Sequence, residues 1–222
     1  MSEPRVTLLG DPADLALAGP QPTTPPGGDL VIEFVRGRPA ATPGALAWDA
    51  ATATVAGEHD VWRRLPWPAG ARAFDLEAPA PGAGALVAGP PELTAPIAER
   101  LRERGLAVEL RERADLDGIA AASVVCLPVP VGAPPPAEAM AVMAAGRLLV
   151  TGACEPSFGL QPGIDCFMEP TADGAAQRAE ATLRWPEAFE VPRALARVAA
   201  ARQRAETVLH RLAVDAALGV GP

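Results

Sequence analysis

Lysine and tyrosine are absent from this 222-residue chain. Without lysine there is no GxxxxGK[ST] phosphate loop, which excludes nucleoside triphosphatases of that kind. All 19 basic residues are therefore arginine, set against 27 acidic ones. A net charge of -8 repels a phosphate backbone, and no local basic patch stands out, so nucleic acid is not an expected partner. Aromatic residues make up only 4%, so the core must rest on Leu, Val and close Ala contacts despite a hydrophobic fraction of 49%. The cysteines are few and odd in number. Cys126, Cys154 and Cys166 form no CxxC pair, so neither a zinc knuckle nor a disulfide framework is indicated, and they read as small buried thiols. No apolar run approaches the roughly 18 residues of a membrane span. The start, MSEPRVTLLGDPADLALAG, lacks a basic segment followed by a continuous apolar one. A soluble, cytoplasmic protein is expected.

What is present falls into two compositions that meet near residue 82. Residues 1–82 are dense in proline and glycine (GPQPTTPPGGD, RPAATPG, LPWPAG, APAPGAG), leaving room for short strands such as 5–10 and 30–36 joined by long loops. Residues 83–222 are regular. GALVAG is a short apolar run ending in glycine, and ELTAPIAERLRERGL places Leu93, Ile97 and Leu101 on one helical face. AVELRE, SVVCLPV, RLLVT and CFMEP read as further strands. ADLDGIAAA, PPAEAMAVMAAG, stopped by Gly146, and DGAAQRAEATLRW read as helices. A last helical tract over 192–218, set off by Pro186 and Pro192, carries Leu195, Val198, Leu209 and Leu212 as its apolar stripe. Alternating strands and helices predict an α/β protein, with a parallel Rossmann-like sheet flanked by helices and a smaller, reduced N-terminal α/β segment.

Candidate chemistry is sparse. The turn after the first strand of the second half, LVAGPPELTAPIAERL, lacks GxGxxG, so dinucleotide binding is not supported. It is a generic strand-to-helix turn, with Gly89 as a phosphate-facing candidate. His59, beside Asp60 in GEHDVW, is the best-placed general base because imidazole titrates near neutral pH. His210 reads as structural. Trp48, Trp62 and Trp67 read first as core residues and second as platforms for a sugar or base.

One stretch is more specific. AVMAAGRLLVTGACEPSFGLQPGID, residues 141–165, resembles the C-terminal half of GT-B glycosyltransferases of the family-4-like and spore-protein-like groups. There a helix ending in AxG leads to a strand, then to a loop around the donor and a GxxPGxD turn. The resemblance runs from about Gly84 to Leu218 and includes the closing RALARVAAARQRAETVLHRL.

It implies that a nucleoside-diphosphate sugar binds at the carboxyl ends of the parallel strands and that its sugar passes to an acceptor held by the other half, with no obligatory metal or other cofactor. The donor-side positions it implies are Gly89, Arg147, Gly152, Glu155, Gly159, Gly163 and Asp165. Arginine would supply charge to the departing diphosphate, and the helices expected after Gly89 and Gly152 would supply their N-terminal dipoles. The resemblance also implies a pair of glutamates, the second immediately preceding an AMAxG-like run. With Ala144-Ala145-Gly146 set on that run, Ala133 and Ala141 occupy the two positions, and Glu138 reads as a solvated glutamate in a first helical turn. The alternative function is a non-catalytic scaffold or regulatory protein of the same fold, and the reduced first half leaves room for a protein partner.

Overall fold

The computed structural model describes residues 6–19, 30–57, 61–80, 82–155 and 158–218. It is a mixed α/β structure containing two separate five-stranded sheets.

The second half forms as its patterning predicts. Strands β6 (Ala85–Ala88), β8 (Val124–Leu127) and β9 (Leu148–Thr151) are buried at every position, as strands covered on both faces must be. With β7 (Val108–Arg111) and β10 (Phe167–Met168) they make an all-parallel sheet in the order β10-β9-β8-β6-β7. Strand order reverses between β6 and β8, which makes that junction the topological switch point, the place where open α/β sheets receive ligands.

Side chains alternate between two cores. On one face Ala85, Val87, Val124, Cys126, Leu148 and Val150 pack against α3 (Pro91–Glu103) and α6 (Ala172–Arg184). On the other, Leu86, Val125 and Leu149 meet α4 (Leu116–Ala121), α5 (Ala139–Ala144) and α7 (Glu190–Ala201). Buried alanines at 139, 141, 144, 196 and 200 let α5 and α7 approach closely, which offsets the shortage of large side chains. The buried face of α3 is Thr94, Ile97, Ala98 and Leu101, so the stripe runs through Thr94 where Leu93 was expected.

The first sheet joins β1 (Val6–Leu9), β2 (Leu30–Val35) and β3 (Leu46–Asp49) in parallel. An antiparallel meander of β4 (Thr54–Ala56) and β5 (Val61–Arg64) follows. Helix α1 (Pro12–Ala18) packs Leu15 and Ala18 into the first sheet's core, and α2 (Ala71–Phe74) turns Ala73 and Phe74 toward α5 and the second sheet's core. The first sheet's core holds Phe34, Trp48, Trp62 and Trp67. The Phe34 ring stacks on Trp48 at 5.5 Å and meets Trp67 edge-on at 5.1 Å, so the tryptophans are core residues rather than open platforms.

The expected helical break at Pro192 is not observed. Pro192 sits in the first turn of α7, where the missing N–H has no intrahelical partner to lose. The chain turns instead at 202–204, where Ala69 accepts from Ala205 and donates to Gln203. Helix α8 (Ala205–Ala217) then crosses back, and its Val208, Leu209 and Leu212 pack with Trp48 and Phe34 of the first sheet. Leu209 and Leu212 are buried as expected. Leu195 and Val198 are not; they stand 41% and 55% exposed on α7. None of the described helices is long and apolar enough to cross a membrane.

Candidate functional site

A cleft of about 310 Å3 opens at the switch point, beyond the carboxyl ends of β6 and β8. That is near the low end of the usual range of roughly 300–1,000 Å3 for ligand pockets. Ala88 and Gly89 form one wall, Leu127 to Val129 another, and Pro134 to Glu138 a third. Arg36 and Ala50 close it from the first sheet.

Four charged side chains converge there. Asp14 lies in α1 and Arg36 directly follows β2, so both come from the first sheet's half. Arg113 lies two residues past β7, and Glu138 immediately precedes α5. Arg36 Nη2 donates to Asp14 Oδ1 at 2.9 Å and to Glu138 Oε1 at 2.8 Å, and Arg113 pairs with Asp14. The Arg36 guanidinium also sits 4.8 Å from the centre of the Trp67 ring. Asp14 and Glu138 are only 4% and 6% exposed, which two carboxylates tolerate because arginines reach them. Burial alone would lower the Arg36 pKa, but Glu138 and Asp14 outweigh it and hold the cation above its ordinary value.

Glu138 therefore differs from its expectation. It is not solvated, and it stands in the cleft immediately before Ala139-Met140-Ala141. Eight positions separate Glu138 from Gly146, so α5 runs about one turn longer between them than an AMAxG-like run would span. Gly146 itself ends the helix as predicted, with φ of 67° and its N–H on Met143.

The expected helix-terminus cradles are not formed. Gly89 lines the cleft with φ of 137°, which favours glycine, but its N–H is already donated to Arg111. Pro90 and Pro91 have no N–H, the Leu93 and Thr94 N–H groups turn back onto Pro90, and Glu92 adds negative charge. The backbone thus offers an anion almost nothing here, and positive charge comes from Arg36 and Arg113. Gly152 is followed by a loop rather than a helix, and the next helix is α6. A Cβ at Gly152 would lie 2.1 Å from the Val129 carbonyl oxygen, so this glycine permits close approach of the loops after β8 and β9.

The other sequence candidates are dispersed. Arg147 precedes β9 and so lies at the amino ends of the strands, opposite the cleft, 2% exposed, with all its described partners backbone carbonyls. Glu155 is an exposed loop residue whose N–H bonds Ala133. Asp165 is buried and accepts from the Gln161 N–H, closing the turn that contains Gly163, whose N–H bonds Cys166. Gly159 and Asp165 line a second hollow of about 340 Å3, shared with Leu195, Val198 and Arg202 of the α7 region. His59 and Asp60 lie outside the described residues, and His210 is exposed on α8.

Among the described residues, no group of three or more His, Cys, Asp or Glu is arranged to hold a metal ion. The three cysteines are free, and burial pushes the Cys126 thiol up to about 12. No protein-family model matches the chain, and no curated protein sequence matches it.

Proposed function

We propose that the chain is glycosyltransferase-like and that the switch-point cleft receives a nucleotide-activated sugar, whose sugar is passed to an acceptor approaching from the first sheet's side. The observation that carries this reading is Glu138. A buried carboxylate stands in the cleft one helical turn before Ala141, the position at which the resemblance expects a donor-contacting glutamate, and is placed to replace it. Position supports it too, since the cleft lies at the carboxyl ends of parallel strands with a second sheet facing it. Arg36 and Arg113 are the cations available to a diphosphate, the anion whose departure glycosyl transfer must stabilise.

A panel of nucleoside diphosphates tests this in the full-length protein. At a concentration one hundred times Kd, binding stabilises by about 2.7 kcal/mol, which for a chain of this length raises Tm by roughly 5–10 °C. Arg113→Ala is expected to weaken that shift. If no member of the panel moves Tm at millimolar concentration, donor binding is wrong.

One observation favours a second reading, a non-catalytic protein of the same fold. Both buried carboxylates of the cleft are engaged by arginine, so neither is free to act as a base. Release of nucleoside diphosphate from labelled sugar donors separates the two. Turnover supports the transferase, and binding without turnover supports the scaffold.

A further inference from the structure

The four charged groups of the cleft pair across the two halves of the molecule. Arg36 of the first half meets Glu138 of the second, and Arg113 of the second meets Asp14 of the first. Arg36 and Arg113 share the cleft lining with Glu138 and the exposed Glu112, and the buried Asp14 pairs with both arginines outside that lining, so an entering diphosphate meets no net positive charge. Yet the cations are set for an anion. Trp67 and Asp14 hold the Arg36 guanidinium in place independently of Glu138. Arg36 Nη1, and Nε and Nη1 of Arg113, have no partner among the described residues. The group that must move is Glu138, whose only described side-chain bond is the one to Arg36.

We infer that the Arg36–Glu138 ion pair is an exchangeable clasp between the two halves: an anion of the phosphate or diphosphate class enters by taking the place of Glu138 on Arg36. On Arg36 the exchange swaps one charge-assisted contact for another, and the displaced Glu138 carboxylate must turn out toward water, because left buried beside the anion it would be an unpaired charge. It also makes Arg36, which comes from the reduced first half, the residue that selects for a multiply charged oxyanion. The inference rests on the reading that this cleft is the binding site, but it requires only the anion and not the nucleoside.

Inorganic pyrophosphate isolates that part. Calorimetric titration of the full chain is expected to show Glu138→Gln binding pyrophosphate at least about tenfold more tightly than the wild type, because the competing anion has gone and the side chain keeps its size. Glu138→Ala should gain likewise. Arg36→Gln is expected to lose at least about tenfold, and Arg36→Lys to fall between, since it keeps the charge but not the fork. Equal or weaker binding by both Glu138 variants overturns the clasp, as does undiminished binding by folded Arg36→Gln or Arg36→Lys. If the pyrophosphate series behaves as expected while no nucleoside diphosphate binds better than pyrophosphate, the clasp stands and the nucleotide-sugar reading falls. If nucleoside diphosphates bind the wild type and the Glu138 variants gain nothing for pyrophosphate, the donor reading stands and the clasp falls.

Discussion

Replacing Arg147 should unfold the protein more readily while leaving the cleft alone. Its guanidinium donates from Nε to Ile119 O at 3.0 Å, from Nη1 to Ala145 O at 2.9 Å, and from Nη2 to Glu77 O at 2.6 Å and Ala120 O at 3.0 Å. Ile119 and Ala120 belong to the last turn of α4, and Ala145 caps α5, so one cation serves the orphan carbonyls of two helix C-termini. No carboxylate pairs with it among the described residues. Burial, and then the nearby Arg193 and Arg197, pull its pKa below the ordinary arginine value. Hydrogen bonds from a charged donor contribute about 1.5–3 kcal/mol each, while removing the group also relieves a desolvated cation. The two effects leave a net loss of about 4 kcal/mol for Arg147→Ala, near the upper end for single substitutions. That is a large part of the roughly 5–15 kcal/mol that stabilises a typical fold, and it lowers Tm by roughly 8–16 °C. Urea unfolding followed by tryptophan fluorescence and far-ultraviolet dichroism measures it. Arg147→Lys should be intermediate, because an ammonium cannot reach carbonyls from three segments at once. A loss under about 1 kcal/mol, or unchanged stability with abolished ligand binding, refutes the structural role argued for this side chain.

Burial would raise the Glu33 pKa, but hydrogen bonds from Thr42 and Ala41 and the Arg38 contact prevail and hold it below its ordinary 4.5. The stability it contributes is complete above that value and is lost as pH falls through the lower folded pKa, so Glu33→Gln should flatten the acid limb of a stability–pH curve. An unchanged acid limb would show that the 36–45 loop does not depend on this carboxylate. Gly152→Ala drives a Cβ into a backbone carbonyl oxygen and should cost about 1–3 kcal/mol in urea unfolding, and a neutral result would mean that the loops after β8 and β9 are free to separate.

The parallel sheet and its flanking helices were legible because they are local. Most of its strands are short apolar runs between breakers, α3 carries its own periodicity in the Ile97–Leu101 pair, and α5 has its own stop in Gly146. The site was legible only in part. Gly89, expected to face a phosphate, lines the cleft, but Pro90 and Pro91 after it supply no N–H groups at the helix start.

By itself, then, the sequence determined most strands and helices of the second half, the absence of a lysine phosphate loop, and a core built from Leu, Val and close Ala contacts. These depend on residue type and near neighbours alone. Tertiary structure decided which charges matter. Glu138 is solvated or buried according to whether an arginine 102 positions away arrives beside it, and Arg147 is a site cation or a structural one according to the end of the strands at which it lies. It also decided that α8 returns to the first sheet, because Val208, Leu209 and Leu212 are matched by an apolar surface that only folding assembles. Solvation and ion pairing are properties of non-local surfaces, so they exist only once those surfaces meet.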